Sequence, residues 1–333
     1  MLILMPKKTP SFNHEEVPSN VESLMKTSLT ISNTEIKKKP PENRNDIEYE
    51  KEMTIGIPQM CLEGLSENWI FRELGNVHND LMYKGLDTRS GDLCDSKENR
   101  IYTSFTRIIV KSKISLNDFN ENEKITLKGR IKRSDNSMCI SKFTFRSKDD
   151  QQKVFEAEMV SVFSISPVEG GKKLQKKEMA NGVHTPPRLK GIPGFGHEYR
   201  LIKMQQLKSL MSNGQVFTMS GCCIFETKYT INPYYEGDRE GRLNFASYPT
   251  INDSCEALYF NQQRLKVLGW QQSYFTASRD VMYYGHCEMS DTIIYKLHHK
   301  EILADQSIKL SSSLIRESDN TVMAHIFTIK KPK

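Results

Sequence analysis

The sequence predicts an α+β fold built from one unit used twice, each copy a long helix followed by four antiparallel strands. Three observations lead there. The stretch GIPQMCLEGLSENWIFRELG, Gly56 to Gly75, reads as a glycine-marked turn running into an amphipathic helix; four alternating apolar runs follow it; and after an interval rich in Gly, Lys and Pro the same order begins again. The interval from Gly64 to the first later strand at Ile101 nearly equals that from Leu243 to Arg279. The expected layout is a disordered tail over 1–53, a first unit over 54–166, a linker over 167–199 and a second unit over 200–333.

The tail combines Pro, Ser, Asn, Lys and Glu with few sustained apolar patterns, and KKKPPENRND cannot assemble a core. Within it VESLMKTSL is at most a transient helix. In the first helix Leu65, Trp69, Ile70 and Leu74 share one half of the helical wheel, and Glu67, Asn68 and Arg72 the other, with Glu73 intruding on the apolar side. GLDTRSGDLCDSKENR then breaks the helix into a long exposed loop. IYTSFTRIIVK, KITLKGRIKR, MCISKFTFR and KVFEAEMVSVFSI are the four strands. Ile125, Leu127, Gly129 and Ile131 point inward, and Lys124, Lys128, Arg130 and Lys132 point to water.

From Pro167 to Gly196 the composition shifts to Gly, Lys and Pro. GIPGFG lacks the spacing and preceding strand of a nucleotide-binding glycine loop, so it reads as linker. EYRLIKMQQLKSLM reads as an adapter helix. FTMSGCCIFETKYTINPYY reads as one strand, and LNFASYPTINDSCEALYF as the second central helix or its irregular start, because Pro249 cannot continue a preceding helical turn unperturbed. SRDVMYYGH, DTIIYKLHH, SIKLSSSLIRE and NTVMAHIFTIKK complete the second set.

Composition bounds the function. With 333 residues, 37% hydrophobic and 26% charged, the chain describes a globular body carrying polar segments. The net charge of +6 is modest for this length, and the basic runs KKKPP near Lys37 and GGKKLQKK near Lys172 lie outside the expected cores, which argues against nucleic-acid binding. Seven cysteines without CxxC spacing indicate neither a disulfide framework nor a zinc knuckle. The opening MLILM is too short for a signal peptide or membrane span, so a cytoplasmic protein without membrane contact is expected. HExxH, GxSxG and Walker patterns are absent. His298 and His299 are adjacent on a strand and point to opposite faces, which argues against joint metal ligation.

The chemistry is expected at the first helix start. Ser66 is placed to cap the helix, and the amides at Gly64 and Leu65 could stabilise a developing oxyanion. The competing reading makes Gly64 and Leu65 a packed turn. Asn232, Asn244, Tyr248 and Asn252 form a polar set around the second helix start, where Asn could hold a thioester oxygen or stabilise a turn. Among acids near the first helix start, Glu63 and Glu67 are the ones a hydrolase or dehydratase could use.

The run QMCLEGLSENWIFRELGNVH, followed by RIYTSF and later by INPYYEGDREGRLNFASYPTINDSCE and SRDVMYYGHCEMSDTI, resembles a family of double hot-dog biosynthetic proteins. That family includes the bifunctional acyltransferase/decarboxylase of leinamycin-type polyketide assembly. The resemblance covers roughly residues 54 to 330. It implies a double hot-dog fold, in which each of two antiparallel sheets wraps a long helix. It further implies action on acyl-CoA or acyl-carrier-protein thioesters, with CoA or phosphopantetheine as substrate carrier and no other cofactor. Decarboxylation of a malonyl-type group and transfer of the product is the activity implied, with Tyr102 at the position of an active-site tyrosine. The alternatives are a hot-dog thioesterase or dehydratase, and a non-catalytic acyl-binding or assembly subunit. A homodimer is left open. Where the family carries His followed by Trp, this chain has His78 followed by Asn79, which puts the pocket shape in doubt.

Overall fold

The computed structural model describes residues 47–61, 64–89, 93, 100–133, 138–165, 175–176, 209–218, 223–238, 240–266 and 274–333. The tail before residue 47, including VESLMKTSL, lies outside the described residues. So do residues 198–208 of the expected adapter helix and, apart from Gln175–Lys176, the linker.

Strand β1 (Ile47–Thr54) precedes helix α1 (Glu67–Leu86), which is followed by β2 (Ile101–Ser112), β3 (Lys124–Arg133), β4 (Met138–Ser147) and β5 (Val154–Ile165). A hairpin of β6 (Ser209–Ser212) and β7 (Gln215–Thr218) leads to β8 (Phe225–Thr230), then α2 (Ser247–Lys266), β9 (Tyr274–Tyr283), β10 (Thr292–Ile302), β11 (Ile308–Arg316) and β12 (Thr321–Pro332). The main sheet runs β1–β3–β4–β5–β2–β9–β12–β11–β10–β8, and Gln175–Lys176 pairs onto β5. Read outward from the β2–β9 seam, both halves have the same strand order. The repeated unit is therefore present, and its copies join by antiparallel pairing of β2 with β9, Ile108 opposite Val281.

Three expectations are corrected. Ile47–Thr54 is an ordered edge strand paired to β3 where disordered tail was expected. Its polar alternation, with Glu50 to Lys128 at 3.0 Å and Glu52 ion-paired to Lys148, suits a strand with one wet face. Ser209–Ser212 is strand, not helix. FTMSGCCIFETKYTINPYY is not one strand but the end of the hairpin, then β8, then a helical turn at Pro233–Glu236.

Helix α1 starts where the sequence placed a cap: Ser66 Oγ accepts the Trp69 amide at 3.2 Å, and Glu67 in the first turn suits the positive end of the helix. It ends at Asp87, whose φ of 51° is left-handed, with Lys84 in the last turn. Ile70, Phe71, Leu74, Val77, Leu81 and Met82 are buried against the first sheet. Each such side chain contributes about 1.5–3 kcal/mol on burial. Glu73 leaves the apolar face by pairing with Lys51 of β1 at 3.1 Å. In α2, Pro249 lies in the first turn, where its missing N–H has no intrahelical acceptor to lose.

Candidate active site between the two helices

The start of α1 meets the first turns of α2. Asn68 Nδ2 donates to the Ala246 carbonyl at 2.8 Å and to Thr250 Oγ1 at 3.2 Å, and Arg72 donates to the Tyr235 carbonyl at 2.9 Å. The crossing has two matching ends, and their chemistry differs.

At one end Glu67 of α1 meets the second half. Arg279 of β9, fully buried, lies 3.2 Å from Glu67 Oε2 and donates to both oxygens of Asp253 on α2, at 2.8 and 2.9 Å. It is further held by the Pro249 carbonyl at 3.0 Å and Thr276 Oγ1 at 3.2 Å. Lys330 of β12 bridges Asp253 at 3.3 Å and Glu256 at 3.0 Å. Asn252 donates to Glu256 at 2.8 Å and accepts from the Ser312 hydroxyl at 2.6 Å. Three carboxylates thus share two cations. Glu67 Oε1 is covered yet has no hydrogen-bond partner among the described residues, while 14% of the side chain remains exposed.

These surroundings set proton affinities. Burial pushes the Glu67 carboxyl up, Arg279 opposes that, Asp253 adds to it, and the group comes to about 7. Asp253 goes the other way: burial alone would raise it, but Arg279 and Lys330 together hold it below the usual carboxylate range. A carboxyl poised near neutrality at a helix start can exchange a proton with a water or a leaving group.

At the other end stands Phe245, two residues ahead of α2. Its ring lies 4.4 Å from that of Phe105 on β2 and against Gly75 of α1, where a Cβ would come within 2.5 Å of Cζ. This end is an aromatic plug. One turn further on, His78 of α1 is fully buried, with Nε2 2.7 Å from Ser161 Oγ and Nδ1 2.8 Å from Ser141 Oγ. Burial drives it down to about 3, so it is neutral and structural.

The residues singled out by sequence are dispersed. Gly64 has φ 90°, and a side chain there would collide with the backbone of Leu116 and Asn117, so the geometry is that of a packed turn. The Leu65 side chain is buried, and Ser66 spends its hydroxyl on the cap. Asn232 caps the Pro233–Glu236 turn through the Tyr234 amide at 3.2 Å, and Asn244 accepts from the Ala246 amide at 2.9 Å; both serve turns. Tyr248 is buried, its hydroxyl 3.4 Å from the Gly285 carbonyl, while Asn252 belongs to the charged cluster. Tyr102 lies at the start of β2 with its ring 5.1 Å from the Arg100 guanidinium and 5.3 Å from that of Arg242, two residues ahead of Asn244. It therefore belongs to the Phe245 end. Ser104 pairs with Ser164 at 2.5 Å, and Arg107 clamps Asp280 of β9 at 2.9 and 2.5 Å. His298 bonds Ser313 at 2.7 Å, and His299 lies 3.6 Å from Glu301.

Arg279, Asp253, Lys330 and Glu256 were not singled out. The signal was present in SRDVMYYGH, where adjacent opposite charges in a buried strand face opposite sides and each needs a partner.

No protein-family model matches the sequence, and the curated proteins yield no match. Solved structures do. A 12:0-ACP thioesterase from Umbellularia californica superposes with a TM-score of 0.58 at 10% identity, over 87% of this chain and 100% of that one. An acyl-ACP thioesterase from Bacteroides thetaiotaomicron gives 0.57 at 10% identity, over 85% and 98%. The chain has the double hot-dog fold. At this identity the likeness shows architecture, and the chemistry rests on the side chains of this double hot-dog chain. Among the described residues no helix is long and apolar enough to cross a membrane.

Proposed function

We propose that this protein is a thioester hydrolase acting on acyl-CoA or acyl-carrier thioesters, with Glu67 as general base. The observation that carries this reading is the Glu67 carboxyl at the start of α1, poised near neutrality with one oxygen unpartnered. In the reaction Glu67 takes a proton from water, and the water oxygen bonds to the thioester carbonyl carbon. The C–S bond then breaks, and the thiolate recovers the proton from Glu67. The first amides of α1 precede its first intrahelical bond, Ile70 N–H to the Ser66 carbonyl at 3.0 Å, and the helix start favours negative charge developing on the carbonyl oxygen. The solved thioesterases of like fold support the substrate class. Decarboxylation with transfer, implied by the resemblance around Tyr102, is the rival.

Purified protein is incubated with acyl-CoAs of graded chain length and with malonyl-CoA and methylmalonyl-CoA, following free thiol and product mass. Thiol release with the free acid supports hydrolysis, provided Glu67→Gln lowers it by roughly a hundred- to ten-thousand-fold. Loss of CO2 with the thioester intact selects decarboxylation. Binding without turnover makes the protein an acyl-thioester binding subunit.

A further inference from the structure

We infer that Arg279 is a positioning residue, a single buried guanidinium shared between Glu67 of the first half and Asp253 of the second, so that the α2 side of the cluster sets the working state of Glu67. The inference rests on the hydrolase reading for its consequence, but the shared contact is independent of it.

The geometry is asymmetric. Arg279 donates to Asp253 through two contacts and to Pro249 and Thr276 besides, whereas Glu67 meets it through Oε2 alone. A fork-shaped donor held by one carboxylate is only partly available to a second. Asp253 in turn shares Lys330 with Glu256, and Glu256 is fastened to Asn252 and through it to Ser312. The groups facing Glu67 are thus Arg279 from β9, Asp253 and Glu256 from α2, and Lys330 from β12, with the Tyr283 hydroxyl, bonded at 3.0 Å to the Phe245 carbonyl, on β9 beyond them. Glu67 is the carboxylate left over when the two cations are allotted. Asp253 keeps 39% of its side chain exposed, so the cluster reaches solvent on the α2 side.

The arrangement makes opposite predictions for two variants. Asp253→Asn removes a competing carboxylate at constant shape, leaving more of Arg279 to Glu67, and the Glu67 titration moves down by about one pH unit. Arg279→Lys keeps the positive charge but cannot span both carboxylates, so Glu67 loses its contact and its titration moves up. A cluster that only staples the fold would change stability in both variants without opposite pH displacements.

The test follows the Glu67 carboxyl directly by 13C NMR in Glu-labelled protein, assigned with Glu67→Gln, alongside the pH profile of kcat/KM on an acyl-CoA. Opposite displacements in the two variants, with the acid limb of the profile following them, are expected. A Glu67 titration that ignores both variants overturns the inference, as does failure of both to fold. If one variant unfolds, the sign in the other decides. Displaced titrations with no thioester turnover retain the shared guanidinium and remove the hydrolase reading. Turnover whose acid limb ignores both variants, with an unmoved carboxyl, does the reverse.

Discussion

The ring of Phe245 occupies the space a side chain at position 75 would need, and Gly75 is the α1 residue that lets the second half come this close. The contact fixes the helix crossing from the apolar end. Gly75→Ala gains about 0.5–1 kcal/mol of helix preference but forces the ring to shift, an overpacking that costs about 1–3 kcal/mol. Chemical denaturation should show a net loss of stability. The variant Gly75→Ala/Phe245→Leu should recover part of it.

Asp280 holds the β2–β9 seam on the opposite face from Arg279. It is fully buried, clamped by Arg107 and accepting from Ser212 Oγ at 2.5 Å, so the β6–β7 hairpin and both halves converge on one carboxylate. Asp280→Ala removes the carboxylate that Arg107 clamps in a buried pair and should cost about 3–5 kcal/mol, read as a fall in the urea midpoint.

Glu67 also leaves a signature in stability, independent of turnover. Its proton affinity in the folded state, about 7, lies above the ordinary 4.5, so the folded protein holds that proton more tightly than the unfolded chain. The contribution is fully present below pH 4.5 and is lost as pH rises through 7. The stability difference between parent and Glu67→Gln should therefore turn against the parent across that window. A pH-independent difference would mean that Glu67 does not bind its proton unusually tightly.

His78 acts with the opposite sign. Its folded value of about 3 lies below the ordinary 6.5, so its contribution is present above pH 6.5 and is lost as pH falls toward 3. His78→Gln can still bond Ser141 or Ser161 but has no proton to gain. Its acid-unfolding midpoint should lie lower than the parent's even where its stability at pH 8 is reduced.

Much of the fold was legible because the buried strands alternate and the helix starts are marked. Ile125, Leu127 and Ile131 are fully buried on one side of β3, as their spacing implied. β1 was missed because an edge strand with one wet face, IEYEKEMT, carries too few apolar residues to stand out from a polar tail. The site was less legible for a different reason. Asp253 and Arg279 meet only when α2 lies over β9, so the buried charge in SRDVMYYGH called for a partner without naming it, and Asp253 has no local pattern to betray it. Tyr102, Asn244 and Gly64 stood out because aromatic, amide and glycine residues mark strand ends and turns as well as chemistry, and it is turns that Asn244 and Gly64 serve.

Tyr102 decides between hydrolysis and transfer. Its ring is flanked by Arg100 and Arg242, and those contacts use the aromatic face, which phenylalanine also offers. Tyr102→Phe should therefore keep the fold, with any lost hydrogen bond worth about 1 kcal/mol. If Glu67 does the chemistry, thiol release from acyl-CoA should be unchanged in Tyr102→Phe and abolished in Glu67→Gln. If the phenol accepts an acyl group, the parent incubated with substrate should gain one acyl mass that Tyr102→Phe does not, and turnover should fall with it. Unchanged turnover and no adduct would confine Tyr102 to the Phe245 end of the crossing, where its ring sets two guanidiniums between the halves. An adduct on Tyr102 would move the reaction from the Glu67 end to the Tyr102 end, where the Arg100 and Arg242 guanidiniums lie over the ring.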